Sequence, residues 1–301
     1  MPPPAPSERF RLSRRFDRTG RLLGDAAMTR LASARVVVFG LGGVGSYAVE
    51  GLVRSGVGHL TLVDFDDVCV TNINRQLHAT ARTVGKGKAE LMAARCREIN
   101  PEADVTGVKE FYREELAEAL LSPGAYDHVV DAVDNVKAKL HLLHRCVTLG
   151  IPVVSCMGAA GRLDPTAVRV GDLAETVMDP FAKDVRKHLR RKYGVGVEGP
   201  TGITAVWSVE PPATPVALQY DQQTCGFLCV CPHKENDFHT CDHRTQINGS
   251  AAFVTSVFGM NAAAVVVREL AARAAAGVEE GASKAGASPD SPDSPEVRPR
   301  A

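Results

Sequence analysis

Four glycines fall within six residues, Gly40-x-Gly42-Gly43-x-Gly45, directly after the apolar run RVVVFG (35–40) and at the start of a helical stretch over 44–55. A continuous apolar run of this length reads as a strand buried on both faces. Glycines between such a strand and a helix let the backbone approach phosphates closely, and the helix N-terminus adds partial positive charge. Strand, glycine turn and helix in that order predict a nucleotide-binding α/β fold.

The rest of the chain repeats this alternation. HLTLVD (59–64) is expected as the next strand, and a helix over 87–99 is stopped by Asn100-Pro101. Strands follow at 104–109, 128–133 and 151–156, with a helix over 136–150. The pattern predicts a Rossmann-like, doubly wound, mostly parallel sheet. From about 160 it loosens into a strand near 167–170, a basic helix near 180–193, and Pro/Gly-rich irregular chain to 250. A last helix is expected over 252–273, and these C-terminal segments are read as capping the sheet and lining a substrate pocket. Residues 1–9 are Pro-rich and residues 276–301 lack aromatics, so both ends are expected to be disordered. One domain then covers 10–275, with substrate-side elements from about 160.

Charge narrows the function. Lys plus Arg equal Asp plus Glu at 35 each, which argues against a protein that coats nucleic acid indiscriminately and leaves a local basic patch open. The N-terminus has no apolar signal region, and no run of about 18 apolar residues marks a membrane span. Eight cysteines without a secretory context read as thiols or metal ligands in a reducing, cytoplasmic setting.

Asp64 ends the second strand, where a carboxylate accepts hydrogen bonds from ribose hydroxyls. To this point the residues fit NAD as well as ATP. The following stretch, with Asp66, Asn72, Arg75, Gln76 and then Lys88 opening a helix, favours a triphosphate. A dinucleotide's pyrophosphate is handled by backbone amides, whereas a triphosphate calls for cations such as Arg75 and Lys88, plus Mg²⁺. Asp134, followed by Asn135, closes the HVVDAVD strand at the sheet's carboxyl edge, a sensible position for a Mg²⁺ ligand.

The segments GLGGVGS, DFDDVCVTNINRQLHA, TVGKGKAE and DAVDN closely resemble the adenylating superfamily of ubiquitin-activating enzymes and bacterial activators of sulfur-carrier proteins. Within it the chain looks most like the tRNA threonylcarbamoyladenosine dehydratases. The pointers are residues 66–79, GAAGRLDPT (158–166) and DLAETVMDPFAKDVRKHLRRKYGV (172–195). The resemblance implies that Gly40 and Gly42 to Gly45 hold phosphates, that Asp64 binds ribose, and that Asn72, Arg75, Gln76 and Lys88 face the triphosphate. It gives Mg²⁺ to Asp134. The implied activity is ATP-dependent cyclisation of the threonylcarbamoyl group on a tRNA adenosine through an acyl adenylate. It also implies a functional link to a cysteine desulfurase or other sulfur-transfer partner, and a homodimer in which Arg18 reaches the partner's nucleotide. The alternative activity is adenylation of the C-terminal glycine of a ubiquitin-fold sulfur carrier.

Two features stay open at this level. Cys225, Cys229, Cys231 and Cys241 offer four thiolates to zinc, but their spacing is not that of paired CxxC motifs, and reduced thiols in an irregular loop are the ordinary reading. The helix over 183–192 carries six Lys or Arg residues and His188 on one broad face, either a solvated surface or a contact for tRNA phosphates. Cys156, at the end of a buried strand, is expected in the core.

Overall fold

The computed structural model describes residues 14–216 and 248–285. Two short helices lead in, α1 (Asp17–Leu23) and α2 (Asp25–Ser33). The alternating part follows as β1 (Arg35–Phe39), α3 (Gly45–Arg54), β2 (His59–Val63), α4 (Lys88–Ile99) and β3 (Asp104–Val108). It continues through β4 (His128–Asp131), α5 (Val136–Leu149) and β5 (Val153–Cys156). The remaining elements are β6 (Val168–Asp172), α6 (Pro180–Tyr193), β7 (Thr204–Ser208) and α7 (Ala252–Ala285).

The strands form one seven-stranded sheet in the order β3-β2-β1-β4-β5-β7-β6. All neighbours are parallel except β6, which runs antiparallel to β7. The strand order turns around between β1 and β4, and in such sheets ligands bind at the carboxyl ends of the strands flanking that point. Side chains alternate across the sheet as the two-residue period requires. Val36 and Val38 of β1 face a core shared with α2, α3, α4 and α7, whereas Val37 and Phe39 face the opposite core under α5 and α6. The doubly wound fold is the expected one.

The C-terminal third departs from the expectation of capping pieces. β6 and β7 extend the sheet by two strands, and β7 lies inside it although TAVWS falls in chain read as irregular. Five residues give too short an apolar run to stand out, yet Ala205, Val206, Trp207 and Ser208 are buried. α7 belongs to the core: Val254, Phe258, Ala262, Val266 and Leu270, four residues apart, are all buried against α2, α3 and the sheet. Its contact with α3 is close, because a Cβ on Gly259 would come within 2.3 Å of the Val44 carbonyl. Residues 252–274 are long and apolar enough to cross a membrane by composition, contrary to the absence of such a run expected above, but more than half of that window is buried inside the fold. The helix also continues past residue 276 to Ala285.

Candidate nucleotide site

The glycine turn is shaped by contact with β4. Gly40 adopts φ +84°, and a Cβ there would meet the Ala132 carbonyl oxygen at 2.7 Å. A Cβ at Gly45 would lie 1.8 Å from the Gly40 carbonyl oxygen, so α3 can begin only with glycine at that place. Gly42 differs: its nearest neighbour would be Gln76 Nε2 at 3.9 Å, leaving open space above the turn. Backbone walls that exclude side chains, with an open floor at the start of a helix, fit a phosphate group.

Asp64 fixes the turn from β2. Its Oδ2 accepts from the Leu41 amide at 2.6 Å and its Oδ1 from the Asp66 amide at 2.8 Å. A carboxylate offers about four acceptor positions, so two remain for hydroxyl groups. Burial pushes the Asp64 carboxyl above its usual range, against the pull of Lys88 and the two amides. Lys88 Nζ donates to Asp66 Oδ2 at 2.8 Å, and only 5% of its side chain is exposed. Burial works against the Lys88 charge, but Asp64, Asp66 and Asp134 together outweigh it and raise its pKa. His78 is pushed down to about 4 by burial and then by Lys88, so its ring is neutral.

Asn72 and Cys69 brace the connecting segment. The Cys69 amide donates to Asn72 Oδ1 at 3.0 Å while the Asn72 amide returns to the Cys69 carbonyl at 2.9 Å. Gln76 is buried with its Oε1 unpartnered among the described residues, and Arg75 donates to the Thr71 carbonyl at 2.9 Å and to Asn74 Oδ1 at 3.0 Å. Asn135 caps α5 by accepting from the Ala138 amide at 3.0 Å, so its carbonyl oxygen has a structural task. Asp134, one residue earlier, is exposed at the same sheet edge. Thus Gly40 to Gly45, Asp64, Asp66, Asn72, Gln76, Lys88 and Asp134 gather around the carboxyl ends of β1, β2 and β4.

Arg18 is not among them. It is exposed on α1, and the neighbouring Phe16 packs near Gly56, at the end of α3 farthest from the glycine turn. Cys225, Cys229, Cys231 and Cys241 lie outside the described residues. Among the described residues no cluster of three potential metal ligands occurs, and Cys156 is buried in the core with its thiol pushed up to about 12.

Two buried groups went unremarked in the sequence. Lys139 and Asp131, both fully buried, pair at 2.5 Å beneath the site, with Ser155 donating to the same carboxylate oxygen at 2.6 Å. Asp131 Oδ1 also accepts from the Val133 amide at 3.0 Å, which sets the path of the loop carrying Asp134. Asp131 was visible only as a polar break in an apolar strand. Arg162, 2% exposed in the loop after β5, has Nε and Nη1 without hydrogen-bond partners among the described residues; Asp179 stands 3.8 Å from Nη2. A guanidinium with two unused donors can accept a carboxylate in bidentate fashion. A lone arginine in the small-residue loop GAAGRLDPT was its signal.

A family model described as ThiF family matches residues 16–284. The chain belongs to the ThiF family. Members that it resembles include the tRNA threonylcarbamoyladenosine dehydratase of Escherichia coli K12, 41% identical over 87% of this chain and 95% of that protein. The Bacillus subtilis enzyme of the same name is 40% identical over 85% of this chain and 94% of that one. Among solved structures of ThiF-family relatives, the E. coli dehydratase in complex with ATP superposes with a TM-score of 0.74 at 38% identity, covering 87% of this chain and 96% of that one.

Proposed function

We propose that this chain is an ATP-dependent tRNA threonylcarbamoyladenosine dehydratase. The observation that carries the reading is the near-complete match to curated dehydratases, 87% of this chain and 95% of the E. coli enzyme. The sulfur-carrier alternative is less well supported: the molybdopterin-synthase adenylyltransferase of Salmonella typhimurium matches over 44% of this chain and 52% of its own length.

In this reading the adenosine ribose sits on the two free acceptor positions of Asp64. The phosphates rest on the open turn at Gly42, with Lys88 and Arg75 beside them and Asn72 and Gln76 lining the floor. A carboxylate is a poor electrophile because oxide would have to leave. Attack on the α-phosphorus makes an acyl adenylate and releases pyrophosphate, and Lys88 neutralises charge that grows on the departing group. The neighbouring ureido nitrogen then closes a five-membered ring and expels AMP, a step that proximity favours strongly. Net loss is one water from the tRNA base. Asp134 is the residue that would hold Mg²⁺, whose contribution is to neutralise the phosphate oxygens.

The reading also takes in a homodimer with Arg18 acting on the partner's nucleotide, a cytoplasmic location, and a sulfur-transfer partner. The decisive experiment incubates threonylcarbamoyladenosine-bearing tRNA with the protein and ATP, then analyses its nucleosides. A product one water lighter, formed only with ATP, is expected. Unchanged nucleosides together with ATP–pyrophosphate exchange on a Gly-Gly-ended carrier would favour the alternative.

A further inference from the structure

Helix α6 carries two opposed faces. Ala182, Val185 and Leu189 are buried in the core shared with α5, and Lys183, Lys187, Arg190 and Arg191 stand exposed on the other side. The helix is sharply bounded. Asp179 accepts from the Ala182 amide at 3.0 Å with Pro180 in the first turn, and Gly194 ends it at φ +69°. The loop that follows turns back, so that Val197 and the four cations enclose an open groove of about 700 Å³.

Several observations indicate what fills it. None of these four cations has a carboxylate within 4.0 Å among the described residues, whereas Arg186 on the same helix is occupied by the Thr176 hydroxyl and carbonyl. The chain as a whole has no net charge, so this concentration of one sign is local. Lys183 and Lys187 are one helical turn apart, about 6 Å along the axis. The nearby ring, Tyr193, is stacked on His144 with centroids 4.2 Å apart and carries Lys192 at 4.9 Å, so it is not offered to a base. Cations in a row without an available aromatic face suit a phosphodiester backbone rather than splayed bases.

The N-terminal end of α6 lies close to the nucleotide edge. Asp179, which starts α6, accepts from the Gly158 amide at 3.0 Å, just past the carboxyl end of β5. The helix therefore begins beside the candidate site and runs away from it.

We propose that the groove between α6 and residues 195–201 docks the sugar-phosphate backbone of the tRNA whose base enters the nucleotide site. This rests on the dehydratase reading for the identity of the RNA. The contact is electrostatic and indifferent to sequence, with base choice left to the site.

Direct binding tests it, without turnover. Fluorescence anisotropy of labelled, threonylcarbamoyladenosine-bearing tRNA is measured with the whole chain and with the double variant K187E/R191E. The Kd for tRNA is expected to rise at least about tenfold near 0.1 M salt, and the slope of log Kd against log salt to fall by about one to two. K187Q/R191Q should fall between, and R268E, exposed on α7, should bind as wild type. Calorimetric ATP affinity should be unchanged in all four proteins. Wild-type tRNA affinity and salt slope in K187E/R191E with an unaltered Tm would overturn the proposal, as would displacement by polyglutamate at lower concentration than by tRNA. Failure of the ATP-dependent cyclisation would instead count against the dehydratase reading, because binding is read separately.

Discussion

The Lys88 ammonium lies 2.8 Å from the Asp66 carboxylate, in a pair whose lysine is 5% exposed and whose aspartate is 37% exposed. The cation is therefore fixed from below by its burial, and its partner is the side that water already reaches. In the proposed site, incoming phosphates would not need to recruit a mobile lysine, only to share one that Asp66 holds. Pre-placement of this kind favours the charged transition state over the ground state.

Lys88→Ala should accordingly lower turnover by about 2–4 kcal/mol of barrier, more than it weakens ATP binding. Arg75→Ala should do the same to a smaller extent, since that side chain is held by neighbouring carbonyl groups. Single-turnover kinetics beside calorimetric ATP affinity separates the two effects. Near-normal turnover in both variants would move the triphosphate elsewhere.

Gly42 and Gly45 should respond differently to alanine. At Gly45 the new Cβ would sit 1.8 Å from a carbonyl oxygen, so Gly45→Ala is expected to lower Tm as well as abolish ATP binding. At Gly42 the nearest atom is 3.9 Å away, so Gly42→Ala should fold normally and lose ATP affinity alone. Thermal melts with and without ATP–Mg²⁺ distinguish them, and equal Tm losses would be evidence against an open phosphate floor.

His78 supplies a pH signature. Its folded pKa is about 4 against an ordinary 6.5, so the folded state binds fewer protons than the unfolded one. Stability from this group is fully present above about 6.5 and is lost as pH falls toward 4. Between pH 7 and pH 5 the loss should be about 2 kcal/mol, from the 1.36 kcal/mol carried by each pKa unit. Urea melts of wild type and His78→Leu at both values check it: the variant should lose this much less.

The buried pair Lys139–Asp131 should be costly to break and cheap to replace. Lys139→Met strands a carboxylate in the core and is expected to cost about 3–5 kcal/mol. Lys139→Met with Asp131→Leu should recover much of that stability while ATP turnover stays low, because the Asp131 hydrogen bond to the Val133 amide no longer guides the loop of Asp134. Equal activity in the double variant and wild type would show that the pair only fills space.

Subunit mixing tests the homodimer. Inactive Arg18→Ala and inactive Lys88→Ala proteins, combined, should recover about a quarter of wild-type turnover by random assortment if Arg18 serves the partner's site. A fully active Arg18→Ala enzyme removes that role.

The alternating α/β half of the molecule was readable because each piece carries a local physical signal. VVVF (36–39) is apolar throughout because both faces are buried, and Gly40 and Gly45 are demanded by backbone contacts at the turn. α6 was bounded to the residue, since Asp179-Pro180 and Gly194 are strong start and stop signals. β7 was missed because both of its sheet neighbours, β5 and β6, come from earlier in the chain, and TAVWS gains strand character only when inserted between them. The first two helices lie before the alternating pattern and offer little buried surface: only Ala27 and Leu31 are in the core. The site followed the same division. Asp64 and Lys88 announce themselves by position, whereas Arg162 and the Lys139–Asp131 pair become conspicuous only when their burial is known.

The long C-terminal helix has a consequence for how this chain comes into being. α7 covers the same face of the sheet as α3 and sits directly against the start of the glycine turn, yet it is synthesised some two hundred residues later. Until it leaves the ribosome, the side of α3 that it packs against and its contact surface on β5, β6 and β7 lack their cover. Closure of this face thus waits for the last helix although the glycine motif is among the first segments translated, and a nascent chain stalled before Ala252 presents a sticky, unclosed sheet to chaperones.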